Sequence, residues 1–318
     1  MTKRISVVIP CLNEQANLAR CIESIENQDY PRKYYEIIVV DNGSTDNSLD
    51  IAQTHADRTV IAPNTTKVGG ARNIGAKESE AAILVFIDSD CTIDRGWLSR
   101  ADIAIQQDED KIFGGAALLP PNANWIERHW LLTKGKLPAL PKELIGCSII
   151  IKKSHFIELS GFNDEMASGE DSDLSYRARS LGLSVEIRSQ FSVTHWGNAK
   201  TVKDFIRRQI WHSSYYKTLG FKSFADPVFI LILIWIMSFL TALISLTLHE
   251  TRLFLTSTTM VVTIPAIFTI KRFLRAKRPP KTPKEALICY SLDVLYIIGR
   301  SRNVATSLLN KKNIRSTI

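Results

Sequence analysis

At 318 residues, 45% of them hydrophobic and 23% charged, the chain has the composition of an ordinary globular protein with room for one large domain plus an appendage, or for two domains. Its five cysteines are odd in number and scattered, with no C-x-x-C pair, which argues against a disulfide framework or a zinc site and fits a reducing compartment. The net charge of +8 is concentrated in the last third, beside apolar segments, where anionic lipid headgroups explain it more simply than nucleic acid.

The chain starts without the long apolar run of a secretory signal, since Met1-Thr2-Lys3-Arg4 leads directly into a short β-branched strand, Ile5 to Ile9, stopped by Pro10. Leu18, Cys21, Ile22 and Ile25 then fall at helical spacing between Leu12 and Ile25. Glu36 to Val40 predicts a second strand, ended by the turn residues Asp41-Asn42-Gly43-Ser44, which lead into a helix through Leu49, Ile51 and Ala52. Thr59-Val60-Ile61 is a third strand. A small-residue helix opens at Gly69 and runs to Ala82, and Ile83 to Ile87 is a fourth strand, buried on both faces. Such alternation implies an α/β fold with a mainly parallel sheet and right-handed crossovers. Leu118 to Leu144, with four prolines, reads as a long loop region packed onto something through Trp125, Trp130 and Leu131. Cys147 to Ile151 is another buried strand, and Ser168 to Leu181 a helix with acids at its start. Two short strands follow, at Val185 to Ile187 and Ser192 to Thr194, then a helix from Val202 to Tyr216.

Beyond residue 225 the composition changes. Pro227 to Leu248 carries no charge, enough to cross a hydrocarbon core, and Leu253 to Ile270 is a second uncharged run. The linker His249-Glu250-Thr251-Arg252 makes the pair a natural transmembrane hairpin. Lys217 and Lys222 flank one side and the Lys271 to Lys284 cluster the other, so the positive-inside rule places both flanks, and the large domain, in the cytoplasm. Ala286 to Ile298 is too short to span and contains Asp293, which suggests an interfacial or re-entrant helix. The division expected is 1–222, a catalytic domain; 223–272, the hairpin, with spans at about 227–248 and 253–270; and 273–318, a basic membrane-proximal tail.

The chemistry-bearing residues collect at strand ends, where open α/β sheets bind ligands. Asp88-Ser89-Asp90 offers hard oxygen ligands suited to Mg²⁺ or Mn²⁺ bridging phosphates. Asp41 suits an imide edge or a ribose diol, and Arg72 offers a charged fork to phosphate oxygens. Glu170-Asp171 stands where a helix begins. Capping accounts for acids there; alternatively, one takes the proton of an attacking hydroxyl. His195 is either structural or a third metal ligand.

Five segments, Val7-Val8-Ile9-Pro10-Cys11-Leu12-Asn13-Glu14, Val40-Asp41-Asn42-Gly43-Ser44-Thr45-Asp46, Gly70-Ala71-Arg72-Asn73-Ile74-Gly75, Phe86-Ile87-Asp88-Ser89-Asp90 and Gly169-Glu170-Asp171-Ser172-Asp173-Leu174, follow one another in an order that resembles the family 2 glycosyltransferases of GT-A fold. The match covers roughly residues 4 to 215. It implies an inverting transferase that uses a nucleotide-diphosphate sugar and Mg²⁺ or Mn²⁺. On that resemblance Asp41 contacts the nucleoside, Pro10 and Cys11 line the base pocket beside Asn13 and Glu14, and Asp88 and Asp90 form the metal and diphosphate motif. Asp171 is then the general base, and Glu170 supports the acceptor site. Processive members carry Gln-x-x-Arg-Trp; here Arg207-Arg208-Gln209-Ile210-Trp211 keeps Arg208 and Trp211 without the required glutamine spacing. A single-sugar transfer to a lipid-linked or other saccharide acceptor at the membrane therefore fits better than polymer synthesis. A nucleotidyltransferase would need a Gly-rich basic loop after the first strand, which is lacking, and a non-catalytic assembly partner would be expected to have lost some of the acids.

Overall fold

The computed structural model describes residues 3–134, 137–138 and 140–309, and it divides into two compact units. The first comprises residues up to 122 together with 135–198. Its centre is a seven-stranded sheet in the order Ser184–Ile187, Lys111–Gly114, Ile149–Lys152, Ile83–Phe86, Ile5–Cys11, Tyr35–Asp41, Arg58–Ile61. Four of the six pairings are parallel; Ile149–Lys152 runs antiparallel to both its neighbours. Alternation along the strands sends successive side chains to opposite faces. Val7, Ile9, Ile37, Val39 and Val85 build one apolar layer with Leu18, Ile22 and Trp97 from two helices. Val8, Ile38, Val40, Leu84 and Phe86 build the other, with Ala71, Phe156 and Leu174. Both faces are thus covered, and that is why these strands read as continuous apolar runs.

A second, three-stranded sheet places Val193–His195 between Cys91–Thr92 and Ala117–Leu118. Its antiparallel register sets His195 opposite Cys91 and brings the segment after Phe191 back to the Asp88–Asp90 strand end. The expected strands all form, but the helix Trp97–Gln107 and the strand Lys111–Gly114 were not foreseen. Their signals are short and mixed with charges, so burial in the sheet, not periodicity, defines them. The small-residue helix is also shorter than expected, Val68–Glu78.

The second unit joins residues 123–134 to 199–318. The stretch expected to be loop between Leu118 and Leu144 contains the helix Trp125–Trp130. Asn124 and Glu127 close a capping box there, each side chain accepting from the other's backbone N–H. Trp130 packs edge-on against Phe205 and beside Tyr296. Hence the helix Val202–His212 belongs with the C-terminal helices, whereas the sequence placed the boundary at residue 222. Pro227–Thr247 starts on an Asp226 cap that accepts from the Val228 N–H at 2.8 Å and from the hydroxyls of Tyr215 and Tyr216 at 2.9 and 2.7 Å. Thr251–Arg275 follows. Both helices are long and apolar enough to cross a membrane, and only 17% and 28% of their most apolar windows are buried, so they are not core helices. The third helix runs from Pro283 to Leu309, well beyond the Ala286 to Ile298 segment. It is pinned by Asp293, which accepts from Arg272 Nη2 at 2.8 Å and Thr269 Oγ1 at 2.6 Å.

Candidate active site

The site is assembled in the first unit at the carboxyl ends of Ile5–Cys11, Tyr35–Asp41 and Ile83–Phe86. Register pairs Cys11 with Asp41 at the ends of the first two. Asp41 is 2% exposed; its Oδ2 accepts the N–H groups of Gly43 and Ser44 at 3.1 and 3.0 Å, while Oδ1 is buried without a hydrogen-bond partner among the described residues. A buried unpaired acceptor is costly unless a ligand completes it, so this oxygen is the clearest sign of an absent donor group. Pro10 and Cys11 are buried at the strand end, and burial pushes the Cys11 thiol up to about 12, so it stays a neutral wall.

The loop after the first strand is clamped to the second. Asn13, in the left-handed region at φ 55°, donates its N–H to Ser44 Oγ at 3.0 Å and accepts the Thr45 N–H through Oδ1 at 2.8 Å. Glu14 donates its N–H to Ser48 Oγ at 2.7 Å. Burial raises the Glu14 pKa above the ordinary carboxyl range, and the charges of Asp90, Asp88 and Asp46 add to it. Glu14 therefore faces the strand-end acids, whereas Asn13 is spent on holding the loop.

Asp90 and His195 meet at 3.6 Å between Oδ2 and Nε2, and both are largely buried. With Cys91 their ligand atoms all lie within 4.8 Å of one another. Cys91 is the member that sequence reasoning missed, and only its cross-strand pairing with His195 reveals it. Burial raises the Cys91 thiol well above its ordinary value, so the effective donors are a carboxylate and an imidazole. That set fits a hard or borderline divalent cation such as Mg²⁺ or Mn²⁺. Asp88 is not in this cluster, because its Oδ1 is turned to Arg72 at 2.6 Å.

Arg72 departs from its expected place. It is 2% exposed, and both terminal nitrogens are taken by protein carboxylates, Nη2 by Asp88 and Nη1 by Glu170 at 2.7 Å. Glu170 is likewise buried and bound to Arg72. Asp171, at the start of the helix Glu170–Ser180, is half-buried; Oδ2 accepts the Gly146 N–H at 3.0 Å and Oδ1 the Ser172 N–H at 2.7 Å. Burial and the neighbouring Glu170 charge push its pKa up to about 6, against the pull of Arg72. A proton acceptor poised near neutrality is what base catalysis needs. Arg208 and the exposed Trp211 lie in the second unit, on the helix Val202–His212.

A mixed α/β sheet with these acids beyond its strand ends is the arrangement of a GT-A fold. The model of "Glycosyl transferase family 2" matches residues 6–151, and the chain has the GT-A fold and is similar to the family 2 glycosyltransferases. It is 30% identical over 191 residues to glycosyltransferase AglE of Haloferax volcanii, covering 57% of this chain and 63% of that protein. It is 28% identical over 222 residues to the pre-mycofactocin glycosyltransferase of Mycobacterium tuberculosis, covering 65% of this chain and 46% of that protein. The chain thus spans between about half and three-fifths of these relatives. Among solved structures, the mannosyltransferase PcManGT from Pyrobaculum calidifontis, in complex with GDP-Man and Mn²⁺, superposes with a TM-score of 0.58 at 19% identity, over 98% of this chain and 88% of that one.

Proposed function

We propose that this protein moves a single sugar from a nucleotide-diphosphate sugar to a hydroxyl of a lipid-linked or cell-envelope saccharide, with inversion, at the cytoplasmic face of a membrane. The observation that carries this reading is the presence in the first unit of three acids in three environments: Asp41 with a buried oxygen that has no partner among the described residues, Asp90 beside His195, and Asp171 at a helix start with a raised pKa.

Asp41 Oδ1 accepts from the nucleoside, while the backbone at Pro10 and Cys11 walls the base and the Asn13–Glu14 loop closes over it. Asp90 and His195 would hold Mg²⁺ or Mn²⁺, with Asp88, the other acid of the motif, bound to Arg72 outside that cluster. A cation bound there would supply neutralisation of charge on the diphosphate leaving group. Asp171 takes the acceptor's proton as the new bond forms, approaching from the side opposite the diphosphate, so the anomeric configuration inverts. The outward-facing apolar helices and their basic flanks support a bilayer location in contact with anionic lipids and an acceptor held at the membrane surface.

The test is a panel of nucleotide sugars offered to the purified full chain in detergent with Mn²⁺ and lipid-linked or saccharide acceptors. Release of nucleoside diphosphate from one donor, with a product of opposite anomeric configuration, is expected. A retained configuration, or failure to bind or turn over any nucleotide sugar, would remove the proposal.

A further inference from the structure

Arg72 places a cation inside the protein, where desolvation is costly unless the charge is paired. Its pairing is double. Nη1 donates to Glu170 Oε1 at 2.7 Å and Nη2 to Asp88 Oδ1 at 2.6 Å, and the Phe162 ring lies 5.4 Å from the guanidinium carbon. One planar fork therefore joins the end of a sheet strand to the first turn of the helix Glu170–Ser180. Lysine, a single point charge, cannot span two such carboxylates in fixed geometry.

The third part is Gly146. A Cβ at this position would lie 2.3 Å from Arg72 Nη2, so the guanidinium rests directly against glycine backbone. The N–H of the same glycine holds Asp171 Oδ2 at 3.0 Å. Arg72 thus reaches Asp171 by two routes, through the adjacent Glu170 and through the Gly146 backbone. Two neighbouring carboxylates in a half-buried site repel, and a cation bound to one of them lessens that repulsion. Glu170 has such a cation at contact distance, while among the described residues Asp171 is held by backbone donors.

We propose that Arg72 is a positioning residue for this reaction: by bridging Asp88 and Glu170 it fixes the base-bearing helix start against the metal-side strand end and leaves Asp171, not Glu170, to exchange the proton. The inference rests on Asp171 being the base. It also replaces the phosphate-clamp role that the sequence suggests for Arg72. The charges acting on Asp171 are Glu170, which raises its proton affinity, and Arg72, which lowers it.

The experiment uses the full chain in detergent with Arg72→Lys, Arg72→Met, Glu170→Gln and the Arg72→Met/Glu170→Gln double variant. Nucleotide affinity is measured by calorimetry and kcat across pH with saturating donor. The Asp171 carboxyl is titrated by NMR on ¹³C-aspartate-labelled protein, with Asp171→Asn assigning the resonance. Arg72→Lys and Arg72→Met should each lower kcat by about 10- to 100-fold, the scale of a small misplacement of reacting groups. Nucleotide affinity should stay within about threefold. In Arg72→Met the Asp171 midpoint should move to higher pH, and the double variant should bring it back down. If Arg72→Met fails to fold, because Glu170 is left buried and unpaired, Arg72→Lys and the charge-neutral double variant carry the same comparison. Nucleotide affinity collapsing while saturated kcat survives would make Arg72 a phosphate clamp and overturn the proposal, as would an unmoved Asp171 midpoint in folded variants. A wild-type chain that transfers no sugar yet shows the Arg72-dependent midpoint would overturn the transferase reading while supporting the linkage.

Discussion

Gly197 meets the Asp90 carboxylate so closely that a Cβ at residue 197 would lie 1.9 Å from Asp90 Oδ2. The neighbouring Trp196 N–H donates to the Asp90 carbonyl at 2.8 Å, so the backbone cannot retreat without breaking that bond. Gly197→Ala is therefore expected to push the carboxylate away from His195 and weaken divalent-cation binding by roughly tenfold or more. Loss of a well-placed ligand or its orienting shell costs about that much. Mn²⁺ titration by electron paramagnetic resonance checks it; unaltered affinity in a folded variant would show that the carboxylate has room to move.

The same pair carries a prediction of metal dependence. EDTA should abolish transfer, and Mg²⁺ or Mn²⁺ should restore it. Asp90→Ala and His195→Ala should each lose cation binding while the far-ultraviolet circular dichroism of the fold is unchanged, because both sit at strand ends. Full turnover in EDTA would take the cation out of the account.

For Asp171→Asn the expectation separates chemistry from stability. Loss of a general base costs about 10² to 10⁴ in rate, so kcat should fall by that much with donor affinity near wild type. In the wild type kcat should decline as pH drops through about 6, where the carboxylate is protonated. The stability sign is opposite. A carboxyl whose folded pKa is raised binds more protons folded than unfolded, so its penalty develops as pH rises from about 4 to about 6. At pH 7 the asparagine variant should melt no lower than wild type. Near-normal turnover in it would leave Asp171 as a helix-start acid only.

Asp41→Ala should weaken nucleotide binding, by a factor of about 10 or more, since a hydrogen bond to a charged group contributes about 1.5–3 kcal/mol. The same change also frees the Gly43 and Ser44 N–H groups. Asp41→Asn keeps those bonds only if its amide oxygen faces them, so it should fall between the two. Calorimetry with nucleoside diphosphate is the measurement, and equal affinity in all three proteins would dismiss the nucleoside contact.

Topology is checked with reporter fusions after residues 222 and 284 and in the loop 249–252. The first two are expected in the cytoplasm and the third on the opposite side, because the basic residues gather on the outer flanks of the two apolar helices. Extraction of the intact protein by salt alone, without detergent, would show that the helices do not span a bilayer.

The α/β alternation, the strand-end placement of Asp41, Asp88 and Asp90, the helix-start placement of Glu170-Asp171 and the two long apolar helices were legible in the amino-acid sequence alone. These are local properties: apolar runs, turn residues and uncharged length are written in consecutive positions. What tertiary structure decided were contacts between residues far apart in the chain. Asp90 lies next to His195 and Cys91 only because an antiparallel register folds the later strand back. Arg72, readable as a phosphate fork, is consumed by Asp88 and Glu170 because the helix bearing it packs on the sheet with that side chain inward. The helix Val202–His212 joins the C-terminal unit through Trp130 and Phe205, contacts that no periodicity announces. Long-range pairing of charges and rings depends on which surfaces meet when the core is buried, and hydrophobic patterning fixes the faces of each element without naming the partner across from it.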